Sequence, residues 1–184
     1  MILFLYLQAR QCADQTPLPV APYQYPAIRT LLDAVFLRQL VRTQPRFAGP
    51  AIHHRIGEMV EMAARAEVAG IVNAQPDFAE GLSALGMLDA ALGNKEDAIR
   101  EGQRAVELLP PSKDAVVGPM LLQNLSTIHA WTGEKTAAIQ ELKEVTSMPS
   151  YLGYGILLRH PLWSPLRDEP EFKAILTSLA PAAP

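Results

Sequence analysis

Apolar positions recur at helical spacing from Ala79 to Pro110, and the rest of the chain is organised around this stretch. Leu82, Leu85, Leu88 and Leu92 form one stripe. Ala98, Ile99, Gly102, Ala105, Val106 and Leu109 form a second, again with the period of a single helix face. Gly93 lies between them and predicts the stop of the first helix, because glycine takes a positive φ without a Cβ penalty. Asn94 is placed to N-cap the second helix, and Pro110 with Pro111 ends it. Gly86 and Ala98 are small where the two helices must approach closely. The pattern predicts a helical hairpin.

The same pattern returns downstream, after an insertion at Ser112–Val117. Leu121, Leu122, Leu125, Ile128, His129 and Thr132 face one way, Gly133 to Lys135 makes the turn, and Ala138, Ile139, Leu142 and Val145 form the next stripe. The turn glycines Gly93 and Gly133 lie 40 positions apart. In that register Leu122 matches Leu82, Leu125 matches Leu85, Ala138 matches Ala98, and Ser126 takes the small site of Gly86.

The flanks read differently. Pro17, Pro19, Pro22 and Pro26 forbid a helix and predict a stiff extended linker. Ala27–Thr43 predicts a helix with Ile28, Leu31, Leu32, Val35, Phe36 and Leu40 on one side. Arg38, Arg42 and Arg46 are read as a solvated face ahead of a contact with an acidic partner or membrane surface. Ala51–Asn73 predicts a second long helix, with Ile52, Ile56, Met59, Val60, Ala63 and Ala66 buried. Beyond the hairpins, Tyr151–Leu158 reads as a bend because of Gly153 and Gly155, and His160–Arg167 as a rigid aromatic segment. Asp168 is placed to cap a short helix, with Glu171 at the capping-box position. Phe172, Ile175, Leu176 and Leu179 give that helix an apolar face, and Trp163 and Phe172 are expected core anchors. The chain divides into an N-terminal segment and linker (1–26), a repeat-like helical pair (27–75), two hairpins (76–150), and a bend with a capping helix (151–184).

The central hairpins resemble the tetratricopeptide repeat, a helix–turn–helix of about 34 residues with fixed small and large positions. The repeat's large positions fall on Leu82 and Leu85, its small position on Gly86, and its later positions on Ala98, Gly102, Ala105 and Pro110. Asp89 departs from the pattern, sitting where the family usually has an aromatic, as does Gly102, where a large residue is usual. Pro76 and Ala64 lie one such period before Pro110 and Ala98, which makes the preceding helical pair a degenerate repeat. From about Gln75 to Leu179 the chain is similar to the C-terminal repeat region of bacterial multidomain signalling proteins that join such repeats to kinase, nucleotide cyclase or winged-helix domains.

The resemblance implies an all-α fold, a short right-handed solenoid of antiparallel hairpins closed by a C-terminal cap. It also implies a regulatory or scaffolding array that binds a protein or peptide. In this family the first helix of each hairpin lines the concave face. The matching positions are Glu80, Ser83, Met87 and Ala91, then Met120, Gln123, Thr127 and Trp131, with Asn124 beside them. Of the lysines, arginines and asparagines that clamp an acidic peptide terminus in such repeats, only Asn124 is present. The expected ligand is therefore an apolar or neutral peptide, or a partner helix, bound with modest salt dependence. The competing reading packs Trp131 between the hairpins as a structural residue.

Composition narrows the function classes. At 184 residues the chain is long enough for one domain with a real core. A net charge of −3 argues against a nucleic-acid footprint. The single cysteine, Cys12, gives no sign of an oxidising compartment. The apolar start, MILFLYL, is shorter than the roughly 20 residues of a membrane span and lacks a basic signal region. A cytoplasmic location is expected, with export or anchoring through the N-terminus as the alternative. His53, His54 and Glu58 supply too few ligands for a closed zinc site, so no metal is expected. No phosphate loop, kinase triplet or nucleophile elbow occurs, and Glu96–Asp97 and Asp168–Glu169 sit at helix starts. No catalytic residue and no cofactor is expected. A small-molecule sensor or enzyme accessory subunit is the alternative to the interaction module.

Overall fold

The computed structural model describes residues 50–150 and 152–181. These residues form seven α-helices and one 3-10 helix, with no strand among them. The N-terminal segment, the proline-rich linker and the expected helix at Ala27–Thr43 with its arginine stripe lie outside the described residues.

Helix α1 (Pro50–Ala74) opens on a proline, whose missing N–H costs nothing at a helix start. It packs on α2 (Ala79–Leu92) through Ala64 and Val68, both fully buried, with Ala69, Ile71 and Val72 beside them. Ala63 and Ala66, expected inside, are exposed. The buried face is therefore turned around the helix axis from the expected one. That setting carries Arg65 onto the α2 side, where its Nε donates to Asp89 Oδ1 at 2.6 Å.

Helix α2 is not a one-sided amphipathic helix. Ala79 and every residue from Gly81 to Ala90 are buried, because α1, α3 and α4 all pack around it. Gly93 ends it at φ 85°, and Asn94 N–H donates to Asp89 O at 2.8 Å, which closes a Schellman turn. Helix α3 (Lys95–Leu108) then folds back along α2. Its buried residues are Ala98, Glu101, Gly102 and Ala105, while Ile99, Val106 and Leu109 of the expected stripe are half-buried. Asn94 stands at the N-cap position of α3, but its side chain makes no cap bond. It donates instead to Asp89 Oδ1 at 2.6 Å, drawn there by a buried carboxylate.

The insertion before the second hairpin is a turn organised by Asp114, whose Oδ1 accepts from the N–H groups of Val116 and Val117 at 2.8 Å. Helix α4 (Val117–Trp131) packs on both α2 and α3, and α5 (Lys135–Thr146) folds back on α4. Gly133 at φ 88° and the bond from Glu134 N–H to His129 O, 2.8 Å, repeat the Gly93 turn. The close approach repeats too. A Cβ on Gly86 would stand 2.9 Å from the carbonyl oxygen of Ala98, and at the equivalent place the Ser126 hydroxyl donates to Ala138 O at 2.8 Å. The large residue missing at Gly102 is supplied from the neighbouring hairpin. A Cβ there would meet Ile128 Cδ1 at 2.7 Å and Leu125 Cδ1 at 2.9 Å.

The C-terminal part packs on the second hairpin. Residues Tyr154–Arg159, expected as a bend, form helix α6, because Gly153 serves as an extended N-cap and the run from Ile156 to Arg159 continues the helix. A 3-10 helix (Pro161–Leu166) and α7 (Pro170–Leu179) follow. Trp163, Leu166 and Phe172 are fully buried in a cluster with Leu122, Ala138, Leu142, Val145 and Leu157, as expected of core anchors. Asp168 does not cap α7. Glu169 holds the N-cap position without a side-chain cap bond, and Pro170 starts the helix. Glu169 is occupied elsewhere, accepting from Lys135 Nζ at 2.7 Å. This link repeats one step earlier, where Lys95, the first residue of α3, donates to Glu134 at the N-cap of α5. The lysine that starts each second helix thus ties it to the next, and Pro170, at the corresponding place in α7, ends the series.

Candidate peptide-binding face

Helices α2 and α4 lie side by side and carry all nine expected contact residues. Glu80, Ser83 and Met87 share one face of α2 by their spacing. Met120, Gln123, Thr127 and Trp131 share one face of α4, with Asn124 adjoining. The two rows meet directly, since Asn124 Nδ2 donates to Ser83 Oγ at 3.0 Å. This closeness consumes part of the face. Ser83 and Thr127 are 2% and 1% exposed, and Met87 is buried beside Ala90, Ala98 and Ile128. The Thr127 hydroxyl turns back to the Gln123 carbonyl at 3.1 Å. Trp131 is half-buried, and its Nε1 donates to the Leu162 carbonyl at 3.0 Å. Glu80, Met120, Gln123 and the remaining donor capacity of Asn124 make up the half-exposed part of the face, with Ala91 at its end.

The Trp131 bond joins α4 to the 3-10 helix and can be tested apart from any ligand. Trp131→Phe keeps most of the apolar surface and removes the donor. It is expected to lower stability by about 1 kcal/mol, the net worth of a neutral hydrogen bond. Chemical denaturation of both proteins measures this, and an unchanged midpoint would mean the bond contributes nothing.

Behind this face lie two titratable pairs that sequence reasoning did not bring together. Asp89 on α2 is fully buried and accepts from both Arg65 and Asn94. Glu101 on α3 is 8% exposed and faces Asp89. Forty positions on, His129 of α4 is 6% exposed and its Nδ1 lies 2.9 Å from the carboxylate of Glu141 on α5. Asp89 corresponds to His129 and Glu101 to Glu141 in the repeat register. Each hairpin therefore places a polar pair between its two helices at one shared position, buried in the first hairpin and partly buried in the second. The register itself was the available signal. The bond that Arg65 donates to Asp89 raises its guanidinium further above its ordinary value, and the bond from Lys95 holds the Glu134 carboxyl below the usual range.

Among the described residues no group of three or more His, Cys, Asp and Glu side chains is placed to hold a metal ion, and Glu58 is exposed. No helix among them is long and apolar enough to cross a membrane. No known protein family matches the chain, and no curated protein or solved structure matches it.

Proposed function

We propose that the chain is a non-catalytic interaction module of tetratricopeptide type, which holds a peptide or a partner helix against the face formed by α2 and α4. The observation that carries this reading is the repeated register. The left-handed glycine turn, the small-residue approach, the polar pair between the helices and the lysine–glutamate link each recur between the first hairpin and the next unit. Stacked units of this kind expose the first helices along one side, where extended peptides and helices dock. The mixture of Met120, Gln123 and Glu80 on the half-exposed part suits a neutral, partly apolar ligand. The likeness of Gln75–Leu179 to repeat regions of bacterial signalling proteins is the basis for reading the module as the regulatory part of such a system.

The test begins with peptides selected on the full chain from a random display library. The best binders are then measured by fluorescence anisotropy against wild type, Met120→Glu and Gln123→Lys. Both variants are expected to keep the wild-type melting temperature and to bind about tenfold more weakly, the equivalent of roughly 1.4 kcal/mol. Raising the salt concentration is expected to change affinity little. Binders unaffected by both variants, or no binders above an unrelated helical protein, would overturn the reading.

A further inference from the structure

The buried oxygens Asp89 Oδ2 and Glu101 Oε2 both lack a hydrogen-bond donor. Two carboxylates in contact cannot satisfy one another, whereas a carboxylic acid and a carboxylate can, because one proton converts an acceptor into a donor. The surroundings decide which group carries it. Asp89 already accepts from Arg65 Nε and Asn94 Nδ2, each at 2.6 Å, so its Oδ1 has two donors. Glu101 has only Arg100, whose side chain is 65% exposed and whose Nη2 lies 3.8 Å from Glu101 Oε1.

We propose that Glu101 carries a proton at neutral pH and donates it to Asp89, so that this one proton latches α3 to α2 and, through Arg65, supports the seat of α1. The groups around it are few. Asp89 faces it from α2, and Arg65 acts on it from α1, with Glu61 one turn earlier on that helix. On its own helix Arg100 is beside it, with Asp97 one turn away and paired to Arg100 at 2.6 Å. From α4 the side chains packed on α3 at the neighbouring Gly102 are the apolar Leu125 and Ile128. Burial first, then the Asp89 charge and its hydrogen bond, push the Glu101 carboxyl up to about 8. Arg100 and Arg65 oppose this and do not overcome it.

The sign follows. The folded chain holds a proton that the unfolded chain releases from an ordinary value of 4.5. The stability this contributes is fully present below 4.5 and is lost as pH rises through about 8. Once the proton leaves, Asp89 Oδ2 is again an unsatisfied buried acceptor beside a second negative charge, and α3 loses its polar tie to α2. The array then has an alkaline-sensitive joint in its first hairpin. At the same register the second hairpin has an imidazole against a carboxyl group, His129 Nδ1 lying 2.9 Å from Glu141.

The test compares unfolding of the full-length wild type with Glu101→Gln from pH 5 to 9, since the glutamine amide can donate to Asp89 and cannot titrate. The wild-type folding constant is expected to fall relative to the variant by up to about tenfold per pH unit between the two values. Every other ionisable group is common to both proteins and cancels in the difference. The direct readout is the carboxyl carbon resonance of Glu101 in the wild type, assigned by its absence from Glu101→Gln or, if that variant fails to fold, from backbone-linked correlations. A midpoint near 8 is expected. Parallel pH profiles for the two proteins, or a Glu101 resonance titrating in the ordinary carboxylate range, would overturn the proposal.

Discussion

Trp163→Ala is expected to lower stability by about 3–5 kcal/mol, the range for truncating a large buried aromatic. The indole is fully buried, in the largest apolar cluster among the described residues, which draws on α4, α5, α6, the 3-10 helix and α7. Its neighbours there, Leu122, Ala138, Leu142 and Val145, are the inner faces of the second hairpin, so the C-terminal cap is continuous with the hairpin core. The 3-10 segment that carries Trp163 begins and continues with prolines, at Pro161 and Pro165, and is a stiff support that cannot follow a shrinking side chain inward. The cavity left by Ala therefore stays largely open, which puts the cost at the upper end of the range. The cap is also held by Trp131 on Leu162 and by Lys135 on Glu169, so the variant is expected to remain folded, with a lower denaturation midpoint. Urea unfolding followed by circular dichroism measures this. A loss below about 1 kcal/mol, the scale of an ordinary substitution, would mean the cap is an appendage and not part of the core.

The elements of this fold were legible wherever one side chain alone decides the local geometry. Gly93 and Gly133 marked the turns because only glycine enters the left-handed region cheaply, and both do so. Trp163 and Phe172 were legible as anchors because burying so much apolar area is hard to forgo. Legibility failed where the choice is made by packing between elements. Helix α1 is rich in alanine, so its apolar pattern names no unique face, and the side that packs carries Ala64 and Val68 instead of Ala63 and Ala66. Glu101 was passed over because a charged residue is presumed to be outside, yet α2 opposite offers Asp89 as an acceptor for its proton. Asn94 had the chemistry of an N-cap and a stronger partner within reach. The candidate face divides in the same way. Repeat spacing was enough to put Glu80, Ser83 and Met87 in one row and Met120, Gln123 and Thr127 in another. It carried no information on how tightly α2 and α4 close, and the Asn124–Ser83 bond with the burial of Met87 and Thr127 is what narrows the open surface.

The close approach of α2 and α3 at Gly86 yields the second large effect. At Gly86 an added Cβ would stand 2.9 Å from Ala98 O, 3.0 Å from Ile128 Cδ1 and 3.1 Å from Gly102 N. Two of these three neighbours are backbone atoms of α3 and cannot move aside without shifting the helix. Gly86→Ala sets this strain against a helix-propensity gain of about 1 kcal/mol, so its net loss is expected to be small. Gly86→Leu gains nearly the same propensity but adds three further carbons at a site with no room, and is expected to cost about 1–3 kcal/mol by overpacking. The flexible neighbour gives a sharper test. Ile128 Cδ1 also occupies the space over Gly102, at 2.7 Å from an added Cβ there, so this one methyl group fills the notch left by both glycines. Ile128→Val removes it and alone is expected to cost about 0.5–1.5 kcal/mol. In the Gly86→Ala background the same methyl is a source of strain, and its removal is expected to cost less than in the wild type. A double-mutant cycle on Gly86→Ala and Ile128→Val is thus expected to show favourable coupling of at least about 0.5 kcal/mol. Strict additivity, or a Gly86→Leu variant melting with the wild type, would mean that α2 and α3 are not held at the separation that the Gly86 contacts require.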